Sequence, residues 1–169
     1  MEILKLRSPD LHEKGTDMDN DRTLPMDRPV VDVSLLILRV VVGVIFAMHG
    51  SQKLFGAFGG MGLEKTVEMM GGGVLPYLVT IGEFFGGLGL IFGFLTRFSA
   101  ASLIVIMVGA IAMVHGKNGF FQSAGGYEYN LALIGLLLPI FLCGPGRFSI
   151  GRLFLPRSTR TGRPVVVLE

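Results

Sequence analysis

The sequence has few charged residues for its length. Asp, Glu, Lys and Arg together make up 17% of its 169 residues, whereas ordinary soluble domains carry nearer a quarter. Half of the chain is hydrophobic, and the mean hydropathy is +0.61. This composition favours a membrane protein. Its basic residues do not cluster on a predicted folded element, so the sequence argues against nucleic acid as a partner.

Cysteine is almost absent, and the sequence also lacks an N-terminal export signal. The single cysteine, Cys143, excludes an internal disulfide, a CxxC redox pair and a CxxCH haem attachment. Residues 1–30 are polar and do not contain the apolar core of a secretory signal. We therefore expect the first apolar helix to be an uncleaved membrane anchor. Any redox chemistry is not dithiol exchange within this chain alone.

Four apolar segments account for most of the hydrophobic residues. Three of them cover residues 33–55, 74–95 and 98–114, and the fourth runs from Glu128 to the breaker Gly144-Pro145-Gly146. Spanning a hydrocarbon core takes about 20 residues, with about 17 as the lower limit. The segments are apolar on most faces, and the chain is too small to bury four such helices in a soluble core. The sequence predicts an all-α, integral membrane four-helix bundle.

The distribution of charge predicts how this bundle is organised and oriented. Residues 1–32 are a polar extension predicted to be disordered, 33–154 form the membrane domain, and 155–169 are a basic tail predicted to be disordered. Thr96-Arg97 is predicted to join the second and third helices as antiparallel neighbours. With four spans, eleven Lys and Arg lie on the side of the termini and three on the other. Because basic residues are enriched on the cytoplasmic side, both termini are predicted to be cytoplasmic and the protein to lie in the inner membrane.

Two ionisable side chains interrupt the apolar segments. Arg39 lies in the first segment and Glu83 in the second, and charges inside a membrane usually face the bundle interior and find partners. From the rise of an α-helix, their depths differ by no more than an arginine side chain can bridge. We therefore expect them to face each other or to share a polar cavity. They form either a structural ion pair that fixes helix register, or a site in which Glu83 handles protons or a ligand.

The glycines around Glu83 predict a close helix contact. Gly82, Gly86, Gly89 and Gly93 form two GxxxG pairs seven residues apart in the second segment. Such small residues let a neighbouring helix approach closely in a membrane. We therefore expect this seam to serve helix packing, with Glu83 beside it pointing into the bundle.

A second polar group is predicted at the helix ends opposite the termini. It comes from three stretches that are distant in sequence and that the topology brings to one region. Histidines and carboxylates are common metal ligands, but their spacing here matches no recognised metal motif, so no metal is predicted. The group is either a substrate-binding site or a set of hydrogen-bonded interfacial residues. Its members are His49, Gln52, Lys53, His115, Asn118, Glu128, Tyr129 and Asn130.

With these residues in view, the sequence resembles the DoxX family of small four-helix membrane proteins. The resemblance runs from about Leu35 to Phe154, and the polar extension before Val33 is not part of the family core. Several blocks together carry it: Arg39, His49-Gly50-Ser51-Gln52-Lys53-Leu54-Phe55-Gly56, Gly82-Glu83, Gly87, Gly93-Phe94-Leu95-Thr96-Arg97, His115, Asn118-Gly119-Phe120-Phe121, Gly126-Tyr127-Glu128-Tyr129-Asn130 and Gly144-Pro145-Gly146.

The resemblance implies redox chemistry at a membrane. Proteins of this family look like quinone- or thiol-linked oxidoreductases and accessory subunits. Relatives include a subunit of a thiosulfate:quinone oxidoreductase, and others associate with redox-stress enzymes. The resemblance therefore implies a quinone as the cofactor and a redox protein as a partner.

The leading hypothesis is a membrane oxidoreductase, or a subunit of one, in respiratory or redox-stress chemistry. Arg39 and Glu83 would line a quinone cavity between the helices, with Glu83 as a proton carrier. The outer mouth of the cavity would be formed by His49, Lys53, His115, Glu128 and Asn130. Two alternatives stay open: a non-catalytic scaffold that recruits a soluble redox partner, and a small-solute or proton transporter that oligomerises. The residues show no group that carries electrons by itself, so catalysis requires a bound cofactor of unknown identity or a partner protein.

Overall fold

The structure, a computed structural model, describes residues 28–151. Most of the predicted N-terminal extension and the basic tail lie outside the described residues. These residues form four longer α-helices and one short one, and all four predicted apolar segments are helical. The helices are α1 (Arg28–Phe55), the short α2 (Gly62–Met69), α3 (Leu75–Phe92), α4 (Thr96–Ala110) and α5 (Glu128–Cys143).

Three of the four longer helices have the length and composition of membrane spans. Pro29–Phe55, Leu75–Phe92 and Thr96–Asn118 are long and apolar enough to cross a membrane, and Glu128–Cys143 is a shorter apolar helix. No strand forms within residues 28–151. Many large apolar side chains point away from the bundle, which suits contact with lipid. The prediction of an all-α membrane four-helix bundle is confirmed.

The helices pack in the order α1, α3, α4 and α5. The longest contact is between α1 and α3, while α4 packs against both α3 and α5, and α5 closes the bundle with a smaller contact to α1. The core between them is made of apolar side chains from all four helices. These are Val42, Phe46, Leu90, Ala100, Leu103, Met107, Leu133, Leu137 and Ile140.

Glycines on two faces of α3 allow these close contacts. A Cβ at Gly87 would lie 2.5 Å from the backbone nitrogen of Ala47, so α3 and α1 touch through their backbones there. On another face, Gly82 and Gly86 lie directly under the side chains of Ile106 and Leu103 of α4. The predicted glycine seam is therefore a helix-packing face, directed towards α4.

Three helix boundaries differ from those predicted. α1 begins at Arg28, five residues before the predicted start, because Pro29 suits the first turn of a helix. The expected Thr96-Arg97 connection is wrong, because both residues belong to the first turn of α4. The turn is made instead by residues 93–95, where Gly93 adopts φ 71 and ends α3. The sequence also did not predict α2 as a helix. Its eight residues lie between glycine-rich turns and were expected only to form a short polar stretch.

Different segments of the chain lie at the two ends of the bundle. The terminal end comprises the first turn of α1, the α3–α4 turn and residues 144–151. The loop end comprises the last turn of α1, α2 and residues 116–127. At the terminal end, the backbone nitrogen of Ile150 donates to the carbonyl of Phe92 at 3.1 Å. There the backbone nitrogen of Arg147 donates to Asp32 Oδ1 at 2.8 Å, so the segment after α5 is bound to α1 and α3.

Candidate functional site

The loop end holds a buried ion pair between α1 and α3. Lys53 Nζ lies 2.7 Å from Glu83 Oε1 and 2.6 Å from Glu83 Oε2. Glu83 is only 3% exposed, whereas the Lys53 side chain is 32% exposed. Buried charges in proteins are usually paired in this way. The two residues therefore form a charge-neutral unit that is open on the lysine side.

This pair corrects the prediction that Glu83 faces Arg39. α1 and α3 run antiparallel, with Gly50 against Phe84 and Arg39 against Gly93. Arg39 and Glu83 are thus separated by about 15 Å along the bundle axis, and they do not line one cavity. The prediction was wrong because it compared the positions of the two residues along their helices, and the ends of those two helices do not lie at the same depth. α1 extends eleven residues beyond Arg39 towards the terminal end.

Arg39 is fully buried at the terminal end and binds the segment that follows α5. Its Nη2 donates to the backbone carbonyl of Phe148. Its Nε and Nη1 have no hydrogen-bond partner within residues 28–151. Gly93 makes room for this side chain, because a Cβ there would overlap Nη1. Arg39 therefore ties residues 144–151 to α1 and is remote from the Lys53–Glu83 pair.

Thr80 adds a third polar group next to the buried pair. It lies three residues before Glu83 on α3, and residues at this spacing are neighbours on one helix face. Its side chain is fully buried, and its hydroxyl has no hydrogen-bond partner in the described part of the chain. Sequence reasoning missed it, because a single Thr in an apolar helix is common. The i, i+3 spacing from Glu83 was the available signal.

Other predicted residues of α1 reach the same end of the bundle. The rings of His49 and Tyr129 are 6.4 Å apart between centroids and meet edge-on, and both residues are exposed. Gln52 is half-buried, and its backbone packs against Gly60 in the turn after α1. The structure therefore brings His49 and Tyr129 together, and places Gln52 beside Lys53.

The predicted residues around the α4–α5 connection bind that connection itself. His115 Nδ1 donates to the Gly125 carbonyl at 2.8 Å, and Asn118 Nδ2 donates to the same oxygen at 3.2 Å. Glu128 Oε2 accepts from the backbone nitrogen of Gln122 at 3.0 Å. His115 ends a turn of π-helix that continues α4. These three side chains therefore stabilise the fold of residues 116–127.

Asn130, the last member of the predicted group, is buried in the bundle. Its Nδ2 donates to Met107 Sδ at 3.4 Å. Within residues 28–151, no three His, Cys, Asp or Glu side chains come close enough to hold a metal ion. The residues of the predicted polar group therefore make several separate contacts and do not form one site. Among them, Lys53 is distinctive because it pairs with the buried Glu83.

A cleft opens at the loop end, and neither Lys53 nor Glu83 lines it. It has a volume of about 450 Å³ and lies between the end of α1, α2 and the start of α3. Leu54 and Phe55 line it next to Lys53 in the chain, Tyr77 lines it from α3, and Glu64 and Lys65 stand on the α2 side. Pockets for small organic molecules are mostly apolar with a few polar groups, and this cleft has that mixture.

Comparisons with known proteins agree with this architecture. A family model described as DoxX matches residues 34–116. The Escherichia coli (strain K12) protein named "Inner membrane protein YqjF" is 33% identical over 124 residues, which cover 72% of this chain and 92% of that protein. The Bacillus subtilis (strain 168) protein named "Putative oxidoreductase CatD" is 31% identical over 113 residues, 64% of this chain and 79% of that protein.

A mycobacterial membrane protein is also similar. It is named "Uncharacterized membrane protein Rv3486", comes from Mycobacterium tuberculosis, and is 28% identical over 76% of this chain and 86% of its own length. No solved structure is significantly similar to the chain. The apolar helices and the name of the Escherichia coli relative support a multi-pass protein of the inner membrane. With the family match and a relative covered almost end to end, this chain belongs to the DoxX family.

Proposed function

We propose that this protein is a membrane oxidoreductase, or a subunit of one, that exchanges protons and electrons with a quinone at the loop end. The observation that carries the proposal is the buried Lys53–Glu83 pair. A cleft lies at the same end of the bundle, and its lining begins at Leu54, the residue after Lys53. A carboxylate held at such a site can exchange a proton with a bound hydroxyl. The 31% identity to a protein named as an oxidoreductase adds support.

The pair supplies the proton chemistry that a quinol reaction needs. Oxidation of a quinol to a quinone releases two electrons and two protons. Glu83, which is paired with Lys53, takes one proton from a quinol hydroxyl at one of its carboxylate oxygens. The second proton passes to water. The same carboxyl returns the proton when a quinone is reduced. Because these side chains move only protons, the electrons require a bound cofactor or a redox partner protein.

The orientation of the molecule is part of this proposal. Both termini are proposed to be cytoplasmic, because eleven of the basic residues lie on their side. The loop end then opens on the opposite face of the membrane, and the quinone reaches the cleft from the lipid. Arg39 has a structural role at the terminal end in this scheme, and it is not a member of the quinone site.

The first test is a visible spectrum, metal analysis and extraction of bound quinone on one detergent-purified sample. We expect about one quinone for each protein molecule or functional assembly. A sample that contains no quinone, and that does not take one up from added quinol, would refute the proposal. A bound haem or metal would identify the electron carrier. A protein with nothing bound, but with a co-purifying redox enzyme, would instead support a scaffold.

The second test uses substitution of the carboxylate. Glu83→Gln should abolish quinone-dependent electron transfer, or lower it by at least tenfold, while the purified protein remains folded. The control is Glu68→Gln, which changes an exposed carboxylate on α2 at the same end and should retain full activity. Equal activity of the two variants would show that Glu83 does not handle the proton.

A further inference from the structure

Two bulky apolar residues adopt a backbone conformation that suits glycine. Among the non-glycine residues within 28–151, only Phe58 and Leu95 have positive φ, at 53° and 47°. L-residues with a Cβ disfavour this left-handed region, and Asn, Asp or Gly normally occupy it. Phe58 lies in the turn after α1, and Leu95 ends the turn between α3 and α4. Each end of the bundle therefore carries one such residue.

Packing within the protein does not explain either residue. Phe58 is 68% exposed and Leu95 is 61% exposed. A buried side chain would offset the unfavourable backbone through its contacts, but these two point away from the bundle. Glycine would make both turns without strain. Whatever stabilises these side chains must therefore lie outside the described fold.

Both residues continue the lipid-facing surface of the helices. Phe58 lies three residues after the exposed Phe55 and three residues before the exposed Met61. Leu95 lies between the exposed Phe94 and Phe98. Each group adjoins an apolar face that a membrane span presents to lipid. Continuity with that face makes lipid the natural environment of both turns.

The position of the first turn agrees with this. A Cβ at Gly60 would overlap the backbone of Gln52, so the chain after α1 folds back beside its last turn. It does not project beyond the helix end. The following α2 is two-sided, with Thr66 buried and Glu64 and Glu68 exposed. A short helix with this division suits the boundary between headgroups and hydrocarbon.

We propose that Phe58 and Leu95 are membrane anchors, one for each leaflet. Their side chains insert into the hydrocarbon just below the headgroups, and this contact stabilises the left-handed backbone at each position. The connection from α1 to α2 then lies within the membrane interface rather than in water. The two anchors fix the depth of the bundle, and with it the depth at which the Lys53–Glu83 pair meets lipid.

Tryptophan fluorescence tests this directly, because the chain contains no Trp. Phe58→Trp and Leu95→Trp each introduce a single reporter, which is measured in vesicles of plain or brominated phosphatidylcholine. We expect lipids brominated close to the headgroup to quench both reporters strongly, and aqueous iodide to quench them weakly. The matched control is Glu68→Trp on the polar face of α2, where iodide should quench and the brominated lipid should not.

Two results would overturn the proposal. One is iodide quenching of Phe58→Trp and Leu95→Trp that equals that of Glu68→Trp, which would place both turns in water. The other is fluorescence from these two variants that neither quencher reduces until the protein is diluted in lipid. That result would show that a second copy of the chain covers the two residues.

Single cysteines give a second readout if a tryptophan variant does not fold. Phe58→Cys, Leu95→Cys and Glu68→Cys are made in a Cys143→Ser background and treated with a charged maleimide in open membrane sheets, where the reagent reaches both faces. Thiolates react only where water is present. We expect Glu68→Cys to be modified at least tenfold faster than the other two. Equal rates at the three positions would contradict insertion of the anchors into lipid.

Discussion

At the scale of single residues, Lys53 and Glu83 form an ion pair with each other. Glu83 lies in an apolar helix and is nearly inaccessible, and both of its oxygens are within 2.7 Å of one ammonium. Loss of either partner leaves a charge in a poorly solvated place. Because Lys53 is one-third exposed, water screens part of its side of the interaction.

This dependence predicts a strong coupling between the two residues. Lys53→Met should lower thermal stability in detergent, whereas Lys53→Met with Glu83→Leu should recover most of the loss. We expect a coupling free energy of about 1 to 3 kcal/mol from the double-mutant cycle. Additive effects of the two substitutions would show that the pair is not formed.

The contact between Arg147 and Asp32 provides the control for that experiment. Its Nε and Oδ2 are 3.9 Å apart, and the Arg147 side chain is 65% exposed. Exposed ion pairs contribute about 0 to 1 kcal/mol. Arg147→Met should therefore change thermal stability much less than Lys53→Met does.

At the scale of helices, the glycines differ in what an added Cβ would meet, which is backbone, a side chain or nothing. A Cβ at Gly87 would meet the backbones of Ala47 and Gly43 at 2.5 and 2.7 Å, and backbone cannot move aside. At Gly86 the nearest atoms belong to the side chain of Leu103, which can adjust. Gly109 in α4 has no atom of the described chain within 4 Å of that position.

A series of Gly→Ala substitutions should therefore change stability with different signs. Gly87→Ala should lower the free energy of unfolding by about 1 to 3 kcal/mol, because the helices must separate. Gly109→Ala should raise it by up to about 1 kcal/mol, because alanine favours the helix. Gly86→Ala should lie between them. Thermal unfolding in detergent measures all three, and equal effects at Gly87 and Gly109 would contradict the close α1–α3 contact.

The helices themselves follow from the sequence, whereas their relative register does not. Apolar length predicts the four spans, and the Gly144-Pro145-Gly146 breaker predicts where α5 ends. The relative register of two helices depends on where small residues let their backbones meet, as at Gly50 and Gly87. The pattern of apolar residues does not contain that information. The same uncertainty led to the pairing of Glu83 with Arg39, and it concealed the role of Lys53.

At the scale of the whole molecule, we expect the end that carries the termini to hold eleven Lys and Arg and the loop end to hold three. We predict that the basic end is cytoplasmic. A C-terminal green fluorescent protein should fluoresce, and a C-terminal alkaline phosphatase should be inactive. Alkaline phosphatase inserted at Gly72 should be active, because the glycines there touch nothing within 4 Å in the described chain. The reverse pattern would move the Lys53–Glu83 pair to the cytoplasmic face.

The helices also differ greatly in length across one molecule. α5 has 16 residues and is about 24 Å long, whereas α1 has 28 residues and is about 42 Å long. A hydrocarbon core is about 30 Å thick, so α5 is too short for it and α1 is more than long enough. Hydrophobic mismatch of this kind is relieved by thinning the bilayer locally or by tilting the helix. The protein should therefore thin the membrane on its α5 side and collect lipids with shorter acyl chains there.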